Sequence, residues 1–203
     1  MMPAPTVTGF ILAGGRSSRM GRDKALLSLE VHSFIERIAS NLRPHVTSLF
    51  IIGHSRYRHM LSSLSIDGIL TDLAADRGPL MGIYTGLMHS SSMLNLFASC
   101  DMPLVNERTI TRLLHAWSNT CDIATNQLPD GRLHPFPLVC HLRNGRIAGR
   151  LLNQGERSLQ GWIHRSRSRL CLIEDTSTAH ALTNVNTPED YLQLCRDTER
   201  TLL

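Results

Sequence analysis

The chain has 203 residues, 42% of them hydrophobic and 19% charged, with a formal net charge of +4. That length suits a single domain, residues 1–203, able to bury about 70% of the surface its unfolded form exposes, and the small, scattered basic excess excludes a protein that coats nucleic acid while suiting a small anionic substrate. Five cysteines with no C-x-x-C pair exclude a disulfide framework or a zinc site, and the lack of an 18-residue apolar run or a leader pattern predicts a soluble, cytoplasmic protein with neither membrane nor nucleic-acid partners.

Val7 to Leu12 reads as the first strand, and it runs directly into A-G-G-R-S-S-R-M-G-R-D-K, residues 13–24. Ser33 and Glu36 form a capping box for a helix whose Phe34, Ile35, Ile38 and Leu42 keep one face apolar until Pro44 stops it. Leu49 to Ile52 follows as a strand, Tyr57 to Leu64 as a helix and Gly68 to Thr71 as a short strand. Gly78-Pro79 opens another helix, with Pro at its first position and Leu80, Ile83, Tyr84 and Leu87 turned inward. Leu94 to Ser99 is a strand that ends at Cys100-Asp101-Met102-Pro103, where proline stops it and leaves Asp101 at its carboxyl end. A helix over Glu107 to Trp117 precedes two strands, Asp122 to Thr125 and Pro137 to His141, which flank the turn Pro129-Asp130-Gly131 and predict an antiparallel pair. Gly145 to Leu152 and Leu159 to Arg165 read as short helices, Leu170 to Ile173 as a strand and Pro188 to Arg200 as a closing helix. Strands alternating with helices predict an α/β fold with a mostly parallel mixed sheet and helices on both faces, a class that binds ligands at the carboxyl ends of its strands.

The loop after the first strand carries the clearest chemistry. Gly14 and Gly15 leave backbone N–H groups free to close on phosphate oxygens, and Arg16, Arg19, Arg22 and Lys24 add four positive charges within nine residues. Neither G-x-x-x-x-G-K-[ST] nor G-x-G-x-x-G is present, so a P-loop ATPase and an ordinary dinucleotide dehydrogenase are not supported. A polyphosphate fits the remaining pattern. Asp101 is the candidate Mg²⁺ ligand, since that ion takes one or two carboxylates together with substrate oxygens and water; Asp72 ends the preceding strand in a similar way. An Asp after a strand also serves as a simple turn former. His134, beside Arg132, is a candidate contact for an acidic substrate. Thr187, Pro188 and Asp190 read as a helix cap, with Asn186 just outside it in reach of a metal or its waters. No nucleophile is evident, because nothing places a base beside Ser99 or Cys100.

L-A-G-G-R-S-S-R-M-G-R-D-K-A-L-L at 12–27, T-D at 71–72, G-P-L-M-G-I at 78–83, C-D-M-P at 100–103 and N-V-N-T-P-E-D at 184–190 together resemble the molybdenum cofactor guanylyltransferase family. The similarity spans nearly the whole chain in the family's order. It implies a three-layer α/β/α Rossmann-like nucleotidyltransferase fold that moves GMP from GTP to the phosphate of molybdenum-bound molybdopterin, with Mg²⁺ as cofactor and pyrophosphate as product. Carried over by position, the resemblance puts Leu12, Ala13 and Gly14 against the nucleotide and Lys24 on its phosphates. Asp72 falls in the nucleotide pocket, and Asp101 on Mg²⁺ beside the α-phosphate. Lys24 and Asp101 are then the catalytic pair, Arg16 and Arg19 support the triphosphate, and Gly78, Pro79 and Gly82 wall the base. Its partners are GTP, molybdenum-molybdopterin and a recipient molybdoenzyme apoprotein or its chaperone.

One departure stands out: Gly53-His54 replaces an Asn that the family often uses as a nucleotide contact. Two rivals remain. The molybdopterin cytidylyltransferase shares fold and reaction but tends to L-A-A-G where this chain has Leu12-Ala13-Gly14-Gly15, which favours GTP, a preference placed on Gly15. A non-catalytic nucleotide-binding partner would have no need of Lys24 and Asp101.

Overall fold

The computed structural model describes residues 6–14, 23–60, 64–73 and 78–201. In chain order the elements are β1 (Val7–Leu12), a hairpin of β2 (Ser28–Leu29) and β3 (His32–Ser33), α1 (Phe34–Leu42), β4 (Ser48–Ile52), β5 (Gly68–Leu70), α2 (Pro79–His89) and β6 (Leu94–Ser99). Then come α3 (Glu107–Ala116), β7 (Ile123–Gln127), β8 (Leu133–His141), α4 (Gly145–Asn153), α5 (Leu159–His164), β9 (Ser168–Leu172), α6 (Thr176–Ala181) and α7 (Pro188–Thr201). Seven strands form one sheet in the order β5-β4-β1-β6-β8-β7-β9. β1 is central and buried throughout, paired in parallel with β4 on one side and β6 on the other. β8 alone runs antiparallel, to both β6 and β7, so the mixed second half matches the antiparallel pair expected around Asp130-Gly131. The strand order reverses at β1: the chain steps outward to β4 and β5, then returns through α2 to β6. This creates a crevice at the carboxyl ends of β1, β5 and β6.

The core explains why α2 sits so close to the sheet. Phe50, Phe10 and Phe97 share a register across β4, β1 and β6, and Phe10 stacks on Phe97 with ring centroids 4.8 Å apart. Above this row α2 presents glycine: a Cβ at Gly86 would lie 2.7 Å from Cε1 of Phe97, and one at Gly82 would lie 2.7 Å from Cδ2 of Leu12. Phe97 is fully buried and cannot swing aside. Gly86→Ala should therefore destabilise the protein by about 2 kcal/mol, a fall of roughly 4–8 °C in Tm. Thermal melting checks this, and a midpoint within about 1 °C of the parent would mean that the helix can lift away at no cost. On the opposite face α1 packs against β1 and α3. Its capping box is present, with Ser33 Oγ accepting from the Glu36 N–H and the Glu36 carboxylate accepting from the Ser33 N–H.

At the far end of the sheet, Asp122 ties three elements together. Its carboxylate accepts from Nε of Arg143 at 2.6 Å and from Nε and Nη2 of Arg167, both at 3.1 Å. Burial alone would raise this carboxyl, but the two guanidinium groups outweigh burial and hold it below the usual carboxylate range.

Three features depart from expectation. Of the segment predicted as a helix over Tyr57 to Leu64, the start belongs to a 3₁₀ turn, Ser55–Met60, and residues 61–63 lie outside the described residues. The β2–β3 hairpin has two residues per strand and turns through Glu30 at φ 58°, too short to leave an alternating pattern in the sequence. The third, α6, is a six-residue helix capped by the Asp175 carboxylate, which accepts from the Thr178 N–H at 2.7 Å.

Candidate nucleotide site

Backbone hydrogen bonds continue past the strands and bring their carboxyl ends level. Cys100 N–H donates to Leu12 O at 3.0 Å, Ala13 N–H to Ile52 O at 2.8 Å and Gly53 N–H to Leu70 O at 2.9 Å. The exits of β1, β4, β5 and β6 thus form one rim, and Leu12, Ala13, Gly14, Asp72 and Asp101 all lie on it. Leu12 and Ala13 are buried, the Leu12 side chain filling the space above Gly82, and these bonds already use Leu12 O and Ala13 N–H, so the pair forms the floor of the rim. Gly14 is exposed.

Asp72 stands against the end of β1. A Cβ on Gly14 would lie 3.5 Å from Asp72 Oδ2, and one on Gly82 would lie 3.7 Å from Oδ1. Oδ1 is buried and has no hydrogen-bond partner among the described residues. An orphaned buried oxygen on an acid is costly unless a ligand donor reaches it. Burial pushes the Asp72 carboxyl up, opposed by the nearby His54 and by the Thr85 hydroxyl. The residue that sets L-A-G-G apart from L-A-A-G is therefore Gly14, which faces Asp72, and not Gly15. An alanine methyl at position 14 would touch that carboxylate.

Lys24 opens the 3₁₀ turn Lys24–Leu26, capped by Asp23, whose carboxylate accepts from the Ala25 N–H at 3.2 Å. Its ammonium donates to Asn186 Oδ1 at 2.8 Å. A neutral amide oxygen partner leaves the lysine without a hydrogen-bonded acid, although its charge is felt by the nearby Asp190. Asn186 is held in turn by Asp190, which accepts from the Asn186 and Thr187 N–H groups, both at 2.8 Å; those bonds keep the Asp190 carboxyl low. The predicted cap at 187–190 is thus real, and its neighbour Asn186 meets Lys24.

Asp101 occupies the turn after β6, half buried, and its backbone carbonyl accepts from the Val185 N–H at 2.8 Å. This bond sets the 184–187 segment beside Asp101 as well as Lys24. Cys100, between them, is no nucleophile: burial, followed by the charges of Asp101 and Asp23, pushes its thiol up to about 12. Among the described residues no three His, Cys, Asp or Glu side chains converge as a ready metal cage. Asp101 as a single half-buried carboxylate fits Mg²⁺, which completes its shell with substrate oxygens and water.

Other expected residues fall elsewhere. Gly15, Arg16, Arg19 and Arg22 lie outside the described residues. A side chain at Gly53 would crowd its neighbours, a Cβ lying 3.1 Å from Ala13 C and O and from Cε2 of Tyr57; exposed His54 opposes the upward push of burial on Asp72. Gly78 has φ 74°, and the space its side chain would take is occupied by Arg157, whose carbonyl oxygen is 2.9 Å from the ideal Cβ. The gaps at Gly78 and Gly82 are thus filled by Arg157 and Leu12, so these glycines serve packing of the chain on itself. His134, opposite Asn126 on β7, places Nδ1 2.9 Å from Phe136 O and sits towards the same edge of the sheet as the rim.

The family model described as MobA-like NTP transferase domain matches residues 9–169. The chain belongs to the MobA-like NTP transferase family. It is a nucleotidyltransferase, and its sheet order with flanking helices is that family's fold. A probable molybdenum cofactor guanylyltransferase from Bacillus mycoides is 31% identical over 192 residues, covering 93% of this chain and 96% of that protein. The crystal structure of molybdopterin-guanine dinucleotide biosynthesis protein A from Archaeoglobus fulgidus superposes with a TM-score of 0.78 at 19% identity, over 95% of this chain and 99% of the other. A 4-diphosphocytidyl-2C-methyl-D-erythritol synthase from Anaerococcus prevotii gives 0.74 at 9% identity, over 96% of each. Fold alone therefore does not choose the base. Among the described residues no helix is long and apolar enough to cross a membrane.

Sequence reasoning missed Tyr57, which lies in no motif and reaches the rim only through the fold. The one available signal was Gly53, a glycine where a side chain was expected.

Proposed function

We propose that this nucleotidyltransferase moves GMP from GTP to the terminal phosphate of molybdenum-bound molybdopterin and releases pyrophosphate. The observation that carries the choice of GTP is the buried, unpartnered Oδ1 of Asp72 beside Gly14. A guanine edge offers N1–H and the 2-amino group, two donors side by side, and a carboxylate accepts both. Cytosine offers one amino group next to an acceptor nitrogen, which an ionised carboxylate repels. The relatedness to a probable molybdenum cofactor guanylyltransferase supports the same reading.

The chemistry needs charge placement more than proton transfer. A phosphate monoester is mostly anionic at neutral pH, so the barrier lies in bringing two anions together and carrying charge onto the leaving pyrophosphate. An oxygen of the acceptor phosphate forms the new bond to the α-phosphorus while the bond from that phosphorus to the β-phosphate bridge breaks. Lys24, held by a neutral partner, neutralises phosphate oxygens. Asp101 would hold Mg²⁺, which when bound supplies positive charge to the phosphates. Leu12–Gly14 would lie against the nucleotide at the rim, with exposed Gly14 leaving room for its close approach. The acceptor would enter from the side of β8 and the Asp130-Gly131 turn, where His134 and Arg132 lie.

Nucleotide choice is open to a direct test. With Mg²⁺ and GTP at about 100 times Kd, Tm should rise by roughly 5–10 °C, and CTP at the same concentration should leave it nearly unchanged. Stabilisation by CTP without stabilisation by GTP would overturn the guanylyl reading.

A further inference from the structure

Tyr57 is fully buried in the 3₁₀ turn after β4, yet its hydroxyl reaches residues on both sides of the glycine-and-arginine segment in the sequence, Ala13 before it and Asp23 near its end. It donates to the Asp23 carboxylate, 2.8 Å from Oδ2 and 3.0 Å from Oδ1, and lies 3.2 Å from Ala13 O. Ala13 is where β1 ends. Asp23 is where the chain returns, and the same carboxylate caps the turn that begins with Lys24 and pairs with Nε of Arg56 at 3.4 Å. The phenol is pushed up first by burial and then by its bond to Asp23, so it stays a proton donor. Gly53 makes the approach possible, since any Cβ there would press on both Ala13 and the Tyr57 ring. A phenol needed only to fill the core has no reason to aim its hydroxyl at an acid on the rim.

We propose that Tyr57 is a positioning residue: by bonding both Ala13 and Asp23 it fixes Asp23, the cap of the turn that begins with Lys24, and through it the direction of Lys24. The functional half of this proposal rests on the reading of Lys24 as a phosphate ligand. Tyr57 touches no substrate itself and acts through Asp23. The glycine at 53 and the tyrosine at 57 form one device, in which the missing side chain at the β4 exit makes room for a clasp between Ala13 and Asp23.

Tyr57→Phe keeps the ring and removes the hydroxyl. In nucleotide-free protein, hydrogen exchange of the amides at 23–27 should quicken about 10-fold, while β1 and β4 exchange as before. Asp23→Asn, which keeps an acceptor but loses the charge, should give a smaller rise. Kd for GTP with Mg²⁺ should weaken about 10-fold in Tyr57→Phe, and by less than about 2-fold when the change is made on a Lys24→Ala background, because the residue through which Tyr57 acts is then gone. Unchanged exchange at 23–27 overturns the clasp. Faster exchange with an unchanged Kd overturns its role in nucleotide binding, as do equal losses in the two backgrounds, the pattern of a purely structural residue. If the unaltered protein binds no GTP, the nucleotide reading of the site fails and takes that role with it, while the exchange measurement still judges the clasp alone.

Discussion

Asp101→Ala should abolish guanylyl transfer, lowering kcat by at least about 10³-fold, with the melting temperature and GTP-independent fold intact. The fold should survive because the bond Asp101 makes to the rest of the site is through its backbone carbonyl, to Val185 N–H at 2.8 Å, and alanine keeps that carbonyl. The turn around it is likewise backbone-built, with Val105 N–H donating to Met102 O at 3.2 Å. What the substitution removes is the half-buried carboxylate at the exit of β6, the proposed anchor for Mg²⁺. Steady-state transfer measured beside circular dichroism separates the two effects. Near-normal turnover would remove Asp101 from the metal role and move attention to an acid elsewhere on the rim, with Asp72 the first alternative.

Lys24→Ala should cost about 10²-fold in kcat/KM. The ammonium is hydrogen-bonded to an amide oxygen and makes no close ion pair among the described residues, so it can turn its charge to phosphate oxygens when they arrive. Removing it leaves Asn186 Oδ1 without that donor, but the Asn186 and Thr187 N–H groups stay on Asp190, which keeps the segment in place. The division between constants is informative. A loss shared by kcat and kcat/KM assigns the lysine to charge that develops on the departing pyrophosphate, whereas a rise in KM alone assigns it to uniform binding of the triphosphate. Lys24→Arg is a stringent companion, since it keeps the charge and changes its shape.

Most of the sheet could be read from the residues, and the reason is local. β1 and β6 are short, mostly apolar runs followed by Gly14 and by Pro103, and α1 announces itself through Ser33 and Glu36, so short-range chemistry decides those elements. The site was readable in its acids and its lysine, because strand ends mark themselves with turn residues. Its assembly was not. That Gly14 faces Asp72, that Leu12 fills the gap over Gly82 and that Tyr57 reaches Asp23 are contacts between residues 34 to 70 positions apart, for which one sequence carries no local signal. Gly82 shows the difference well: from sequence it suggested a place where a base comes close, and in the fold it is the place where α2 comes close to β1.

The bond between Lys24 and Asn186 spans 162 positions, and this bears on how the protein is made. All seven strands of the sheet are complete by Leu172, before the segment that meets the lysine has been reached. At synthesis rates of about 5–20 residues per second, that partner appears roughly 8–32 s after the lysine does. A chain interrupted between these points carries every strand of its sheet and still lacks the contact that orients its principal cation. Such a fragment also lacks Val185 and Leu194, which are buried with Leu27, Leu29 and Phe34 in a second apolar cluster, so the last stretch of chain completes both the packing around α1 and the setting of the lysine.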